Sequence, residues 1–239
     1  MTTKIEWADE TINPLIGCGR QCPYCYASRM ATRLAGMPHT AERYAGIARG
    51  GRWTGEIRWV PSELEKLDRW RKPRRVFIGS MGDLCYATAG QLAAILDAVW
   101  LNRQHTCMIL TKDPRRLGGL IDVVSGACNR SPPPNLLIGA SITTQGDACL
   151  RLPELVTIPA RLFVSAEPLH GGIDLTEWID RVSWVIAGAE TGHRARPAQL
   201  DWFRSLRDQC AAAGVPFFFK KDSDGSRELD GVRHEEIPQ

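Results

Sequence analysis

Short apolar runs recur along the chain, and most of them are followed by stretches with helical periodicity. Six of these runs are continuous and rich in strand-forming residues, which is typical of strands that are buried on both faces. They cover residues 76–80, 107–111, 136–141, 161–165, 184–188 and 215–219. We expect one more strand before residue 18.

Helical periodicity is clearest in two segments between the apolar runs. Residues 89–103 carry an apolar stripe from Leu92 to Trp100, and residues 200–213 have a similar stripe followed by Gly214 as a helix cap. Strands that alternate with helices predict a parallel sheet. The sequence therefore predicts an α/β fold, a partial (β/α) barrel of about six to seven parallel strands, in one domain of residues 1–239. A flavodoxin-like open sheet is the alternative architecture.

Three stretches lack this periodicity. Residues 36–61 and 125–135 are expected to be irregular. The second of these stretches contains consecutive prolines, so we expect it to form an exposed loop. The tail from about residue 222 is polar, so we expect it to be frayed or loosely packed.

The composition is that of an ordinary globular protein. Of the 239 residues, 44% are apolar and 24% are charged, and the net charge of +3 neither demands nor excludes a nucleic-acid partner. No apolar run is long enough to span a membrane, and the first residues lack the apolar region of a secretory signal. These features predict a cytoplasmic protein without a membrane partner. In a reducing cytosol, clustered cysteines indicate a metal site more often than disulfides.

Three of the eight cysteines lie close together, at Cys18, Cys22 and Cys25. A cubane [4Fe–4S] cluster usually has four cysteine ligands, so three from one loop leave one iron without a local protein ligand. That iron can take the amino and carboxylate groups of S-adenosylmethionine (SAM). A structural zinc site is one alternative, although such sites usually contain a second cysteine pair or a histidine partner. The other alternative is that no metal binds.

The C-x3-C-x2-C spacing, with an aromatic residue before the third cysteine, resembles the radical SAM superfamily. Further segments resemble a phage-associated family of unassigned function within that superfamily. They are residues 5–7, 13–14, 17–18, 22–27, 80–84, 110–112, 165–169, 188–192 and 217–220. The neighbourhood of Cys22 and Cys25 also resembles spore photoproduct lyase, a DNA-repair member of the superfamily. The resemblance implies a [4Fe–4S] cluster, SAM and an external electron donor of the flavodoxin or ferredoxin type.

The same resemblance suggests which residues bind SAM. Tyr24 matches the aromatic residue that lies near the SAM adenine. The segment after the second strand corresponds in position to the glycine-rich segment that receives the SAM amino group. Its candidate residues are Gly79, Ser80, Met81 and Asp83. The alternative for Asp83 is a helix N-cap. Ser141 ends the fourth strand and is expected to meet the SAM ribose or carboxylate, with a buried capping serine as the alternative.

Polar residues also end other predicted strands, where barrel enzymes carry their chemistry. Lys112, Glu167 and Glu190 are the candidate catalytic residues, expected to line a pocket for a polar substrate. Lysine and glutamate are seldom buried without partners, so several of them at one barrel mouth favour a site. A set of weak surface ion pairs is the alternative.

Residues 49–75 combine many arginines with Trp53, Trp59 and Trp70. Arginines contact phosphates and indole rings stack on bases, so this stretch is compatible with a nucleic-acid partner. The alternative is a solvated basic loop whose tryptophans join the core.

Together these features predict a radical SAM enzyme of isomerase, lyase or base-modifying type. Its 5′-deoxyadenosyl radical would abstract a hydrogen atom from an organic substrate. The basic stretch and the phage-type resemblance favour a nucleotide or a modified base in nucleic acid, as in phage DNA modification. One alternative is a radical SAM enzyme that acts on a small metabolite or peptide. The other is a non-enzymatic, metal-bearing protein that binds nucleic acid.

Overall fold

Within residues 3, 5–192 and 194–238, which the computed structural model describes, seven parallel strands form a curled half-barrel sheet. In spatial order they are β1 (Glu10–Ile12), β6 (Arg75–Ile78), β7 (Thr106–Thr111), β8 (Leu136–Ser141), β9 (Arg161–Ala166), β10 (Val185–Gly188) and β11 (Phe217–Lys221). Short antiparallel ribbons are formed by β2 (Leu15–Ile16), β3 (Ala48–Arg49), β4 (Arg52–Trp53) and β5 (Arg58–Trp59). The predicted α/β partial barrel is confirmed.

Local sequence signals set the ends of several helices. The helices of the described chain are α1 (Tyr26–Ala35), α2 (Ala41–Tyr44), α3 (Glu65–Arg69), α4 (Ala89–Leu101), α5 (Pro114–Cys128), α6 (Gln145–Leu155) and α7 (Leu200–Ala213). A capping box of Thr88 and Gln91 begins α4, and Gly214 ends α7 in the left-handed conformation, as predicted. Because α5 continues to Cys128, the loop predicted from residue 125 begins later. No helix in the described part of the chain has the length and apolar character that a membrane crossing requires.

The chain divides into two compact units, of which unit 1 comprises residues 1–109 and 119–136. One of its cores lies around α1 and the ribbons. Its buried members include Ile16, Ala31, Ile47, Ala48 and Trp53. The stretch 36–61, predicted to be irregular, contains α2, β3, β4 and β5. The prediction was wrong there because strands of two residues are too short to show an alternating pattern.

Unit 2 comprises residues 110–118 and 137–239. Every residue of β8 is buried, as are nearly all of β9, which explains their continuous apolar sequences. Gly139 of β8 is the direct partner of Phe163 in β9. A Cβ atom at Gly139 would lie 2.5 Å from Cε1 of the fully buried Phe163 ring. The ring therefore occupies the space that a side chain at residue 139 would need.

The C-terminal tail is mostly exposed and loosely packed, as expected, but it is fastened to the sheet rather than frayed. Phe219 N donates a hydrogen bond to His234 O (2.8 Å), and Trp184 Nε1 donates to Glu236 O (2.8 Å). Leu229 is fully buried. The tail supplies partners for backbone groups at the outer edge of β11, which would otherwise need other partners. Its polar composition did not reveal that role.

The Asp230 carboxylate fastens the tail to α7. It accepts hydrogen bonds from Arg204 Nη2 (2.6 Å) and Arg207 Nη1 (2.7 Å), and these contacts lower the pKa of Asp230 to about 2. A carboxylate with a lowered pKa stabilises the folded state above its ordinary pKa of about 3.9 and loses this effect as the pH falls through the lowered value.

We therefore expect Asp230→Asn to lower stability slightly at neutral pH, because the three side chains are partly exposed and solvent weakens such ion pairs. The difference from the wild type should shrink below about pH 4 and vanish only below pH 2, where Asp230 is protonated in the folded state as well. Urea unfolding of both proteins across this pH range measures it. A difference that persists unchanged at the acidic end would contradict the assignment.

Candidate functional site

The cysteine motif in unit 1 follows β2 at a tight backbone position. Gly17 has a φ of +110°, and a Cβ atom there would lie 2.2 Å from the Glu56 carbonyl oxygen. Gly17 N donates to Met81 O (3.0 Å), and Gly17 O accepts from Asp83 N (3.4 Å). These contacts fix the backbone at the start of the cysteine loop.

Cys18, Cys22 and Cys25 are reduced and half-buried. Arg20 N donates to Cys18 Sγ (3.3 Å), and Cys25 occupies the N-cap position of α1 without a capping hydrogen bond from its side chain. Backbone N–H groups and the positive end of a helix both favour negative charge on sulfur. Burial nevertheless raises the pKa of the Cys18 thiol to about 12. A metal that binds here must therefore displace a proton.

Among the described residues, no three His, Cys, Asp or Glu side chains are arranged to hold one metal ion. Three thiols in one loop are the kind of donor that an iron–sulfur cluster uses, with each cysteine bound to a different iron. The three cysteines are the residues that would hold such a cluster.

The loop after β6 contacts the segments on either side of the cysteine motif. Asn13 Oδ1 accepts hydrogen bonds from Met81 N (2.8 Å) and Ser80 Oγ (3.1 Å), while Tyr26 Oη donates to Ser80 O (2.7 Å). Gly79 turns the chain with a φ of +92°. Three residues predicted to bind SAM therefore lie in one loop that is tied to β1 and α1.

Asp83 is buried and caps the 3-10 turn at Leu84–Tyr86, where its Oδ1 accepts from Cys85 N (3.1 Å). The alternative, that Asp83 caps a helical turn, is therefore present in the structure. The contact of Asp83 with SAM stays a prediction. Tyr24 is half-buried in the cysteine loop. Its expected place near the SAM adenine also stays a prediction.

Three residues of this region were not foreseen as site residues: Asn13, Tyr26 and Tyr86. A Cβ atom at Gly19 would be 2.9 Å from the Tyr86 ring, which shows that this ring lies against the cysteine loop. Burial and the nearby Cys18 raise the pKa of the Tyr86 hydroxyl. Asn13 directly follows a strand and Tyr26 directly follows the third cysteine, so their positions in the sequence could have indicated that both lie near the site. No sequence pattern places Tyr86 beside the motif.

In unit 2, polar side chains meet at the carboxyl ends of the strands. Lys112 Nζ, just after β7, donates to Ser141 Oγ at the end of β8 (2.6 Å). Ser141 Oγ in turn donates to the backbone carbonyl of Glu167, just after β9 (3.3 Å). The structure therefore brings together three of the residues that the sequence predicted for the site.

Both candidate glutamates are bound by cationic or histidine side chains. Glu167 Oε2 accepts from Lys220 Nζ (2.7 Å). Glu190 Oε2 accepts from Arg196 Nε (2.7 Å) and from His170 Nε2 (2.9 Å). The ion pairs weighed as the alternative are therefore present. The glutamate side chains are only 17% and 11% exposed, however, so these are not ordinary surface pairs.

His170 is a part of this cluster that the sequence did not reveal. Burial, followed by the charges of Arg196 and Lys112, lowers the pKa of His170, so its ring is uncharged at neutral pH. Burial opposes ionisation of Glu190, but hydrogen bonds from Arg196 and His170 outweigh it and lower the pKa of Glu190. The neutral ring therefore donates its Nε2 proton to an ionised carboxylate. The only sequence signal was the place of His170 three residues after Glu167.

The basic stretch of residues 49–75 is divided between core and surface. Trp53 lies in the core of unit 1, which matches the alternative considered for the tryptophans. Arg74 pairs with Glu10 (3.0 Å) and Arg75 pairs with Asp9 (2.7 Å). Other cations of the stretch, such as Arg71, are exposed. The nucleic-acid partner stays a prediction.

Over residues 2–238, the sequence matches the family described as "protein of unknown function (DUF5131)". The chain belongs to this family. A search of curated proteins found no match to this DUF5131 member.

The fold of the DUF5131 chain is similar to that of spore photoproduct lyase. One mutant of that enzyme, solved with dinucleoside spore photoproduct, has a TM-score of 0.53 at 11% identity, over 87% of this chain and 62% of that chain. A second mutant has a TM-score of 0.51 at 11% identity, with the same coverage. The DUF5131 chain therefore spans 62% of the length of the solved structures it matches. At this identity the likeness shows the fold alone.

Proposed function

We propose that this DUF5131 protein is a radical SAM enzyme that acts on a nucleotide or on a base in nucleic acid. The observation that carries the proposal is the three-cysteine loop before α1, on a parallel half-barrel whose fold is similar to that of spore photoproduct lyase. When bound, the cluster and SAM would supply a 5′-deoxyadenosyl radical that abstracts hydrogen from an organic substrate.

The residues of unit 1 would hold and orient the cofactors. Cys18, Cys22 and Cys25 would bind three irons as thiolates. The Asp83 carboxylate would attract the ammonium group of SAM, because opposite charges attract strongly where water is partly excluded. Tyr24 would pack against the adenine ring, which offers a flat apolar face.

The residues of unit 2 would bind polar groups. The Ser141 hydroxyl, held by Lys112, suits an oxygen-rich group such as the SAM ribose or carboxylate. Glu167 and Glu190 would orient the substrate, since each carboxylate is itself fixed by hydrogen bonds. Fixed polar groups are what gives a binding site its specificity.

A nucleotide or base is the substrate class we favour. One of the solved structures with a similar fold contains a dinucleoside spore photoproduct. Exposed cations such as Arg71 remain in the basic stretch of this chain. Tailoring of a phage DNA base is a reaction of this class. The electron would come from an external donor of the flavodoxin or ferredoxin type.

A second candidate is a radical SAM enzyme that acts on a small metabolite or peptide. The ion pairs of Arg74 with Glu10 and of Arg75 with Asp9 favour it, because they reduce the positive charge offered to phosphates. The third candidate, a non-enzymatic nucleic-acid binder, would keep the metal but would not cleave SAM.

Anaerobic incubation of the reconstituted protein with SAM and a reductant tests the proposal. We expect 5′-deoxyadenosine to form, and added single- or double-stranded DNA to give a modified nucleoside by mass spectrometry. Formation of 5′-deoxyadenosine without any change in DNA would favour the small-molecule candidate. An iron-loaded protein that never cleaves SAM would exclude both enzyme candidates.

Two substitutions separate the proposed SAM contact of Asp83 from its capping role. Asparagine retains the oxygen that accepts from Cys85 N but removes the charge, whereas alanine removes both. We expect Asp83→Asn to keep its iron and its unfolding midpoint while it binds SAM about tenfold more weakly, since one charge-assisted contact is lost. Equilibrium dialysis with labelled SAM measures the affinity. Normal affinity in Asp83→Asn, together with lower stability in Asp83→Ala, would leave Asp83 as a cap only.

A further inference from the structure

The ion pair between Glu167 and Lys220 lies across the end of β10. Glu167 follows β9 and Lys220 belongs to β11, and β10 runs between these two strands. A Cβ atom at Gly188, the last residue of β10, would lie 3.2 Å from Lys220 Cβ and 3.5 Å from Glu167 Cγ. A side chain at Gly188 would therefore crowd Lys220, while Glu167 lies at an ordinary contact distance over this strand end.

One oxygen of the Glu167 carboxylate lacks a partner. Oε2 accepts the hydrogen bond from Lys220, but Oε1 is buried and has no hydrogen-bond partner within the described part of the chain. A buried acceptor without a donor is costly, and such an atom in a folded protein calls for a reason. An ionised carboxylate can accept on both oxygens and donates on neither. Glu167 therefore offers unused capacity for a donor.

The cations around Glu167 are already engaged. Lys220 binds Glu167 itself, Arg196 binds Glu190, and Lys112 donates to Ser141 Oγ. A phosphate would have to compete with these contacts for its donors. A neutral group that donates a hydrogen bond would need no such exchange.

We propose that Glu167 recognises the substrate by accepting a hydrogen bond from a neutral N–H or NH2 group, as presented by the edge of a nucleobase. This inference rests on the proposed function and narrows it, since the base rather than the phosphate is the group bound in unit 2. Glutamate is a natural acceptor for the amino group of cytosine. The terminal torsion of a glutamate is soft, so the whole carboxylate can turn to present Oε1 to an incoming donor while the flexible Lys220 side chain follows Oε2. Lys220 is the positioning residue that holds the other oxygen.

Binding of deoxycytidine to the cluster-loaded protein, by anaerobic calorimetry with SAM present, tests the inference. Inorganic phosphate and deoxyribose 5-phosphate are the comparison probes. We expect deoxycytidine to bind and both phosphates to bind weakly or not at all. Glu167→Gln should weaken deoxycytidine binding about tenfold, because a neutral amide replaces a charged acceptor. Lys220→Met should have a smaller effect, since the carboxylate remains.

Glu177→Gln is the matched control, because Glu177 is an exposed glutamate of the same unit. It should bind deoxycytidine like the wild type. If Glu167→Gln does not fold, Glu167→Asp replaces it, since the shorter side chain keeps the charge but withdraws the carboxylate from the incoming donor. Unchanged binding in the folded Glu167 variant would overturn the inference, as would tight binding of phosphate in place of deoxycytidine.

The experiments distinguish failure of this inference from failure of the proposed function. SAM cleavage by the wild-type protein without deoxycytidine binding would overturn the inference alone. A wild-type protein that holds no iron would overturn the proposed function, and calorimetry without SAM would still report whether deoxycytidine binds through Glu167.

Discussion

Alanine at Cys22 is expected to leave the purified protein without its iron–sulfur cluster. The wild-type protein, reconstituted without oxygen, should contain about four irons per chain, the content of one cubane. Removal of one of only three protein ligands leaves a second iron without a thiolate, so the cluster should not persist. Cys18→Ala and Cys25→Ala should behave alike. Iron and sulfide assays, with absorption spectra, measure the loss.

Cysteines outside the motif provide the control for this experiment. Cys128 is exposed at the end of α5 and Cys107 is buried in β7. Serine at either position should leave the iron content unchanged. Loss of iron in a folded Cys107 or Cys128 variant would reveal a fourth protein ligand and close the site to SAM. One zinc per chain in place of iron would contradict the cluster assignment itself.

Alanine at Gly139 is expected to be among the most destabilising single methyl additions in the sheet. The new Cβ atom would lie 2.5 Å from the Phe163 ring, which is fully buried and has little room to retreat. Overpacking of this kind typically costs about 1–3 kcal/mol and sometimes more. Chemical denaturation of the wild type and of Gly139→Ala measures the free energy of unfolding.

A second substitution shows whether the ring is the cause. Gly139→Ala combined with Phe163→Leu should be more stable than the sum of the two single effects predicts, because the smaller side chain makes room for the methyl group. Gly90→Ala is the matched control, since nothing lies within 4 Å of a Cβ atom at that exposed helix position. It should be neutral or stabilising by up to about 1 kcal/mol. Additive losses in the double variant would contradict the proposed clash.

The strands of the sheet were predictable because each is a continuous apolar run, and burial on both faces requires that pattern. The run at 136–141 coincides with β8, and the run at 107–111 is β7 without its first residue. The ribbons of unit 1 were not predictable, because β3 and β4 each have only two residues. Their pairing depends on tertiary contacts rather than on a periodic sequence.

Residues of the candidate site were predictable only where a polar side chain lies at or directly after the end of a strand. Lys112, Ser141 and Glu167 could be proposed because parallel strands bring their carboxyl ends to one edge of a sheet. The contacts of His170 with Glu190 join residues that are 20 positions apart, and no spacing rule connects them. The same holds for Tyr86 beside Cys18. Such pairs follow from loop paths that only the folded chain defines.

The pairing of β11 with the tail has a consequence for the newly made chain. Strand β11 contains three consecutive phenylalanines, and Phe218 pairs with Glu235 in the tail. Because a ribosome makes the chain from its N-terminus, β11 emerges before the residues that cover its edge. An uncovered apolar strand edge is a template for other chains. We expect chains that stop between β11 and Glu235 to aggregate during synthesis. The tail would thus protect the strand edge that it covers.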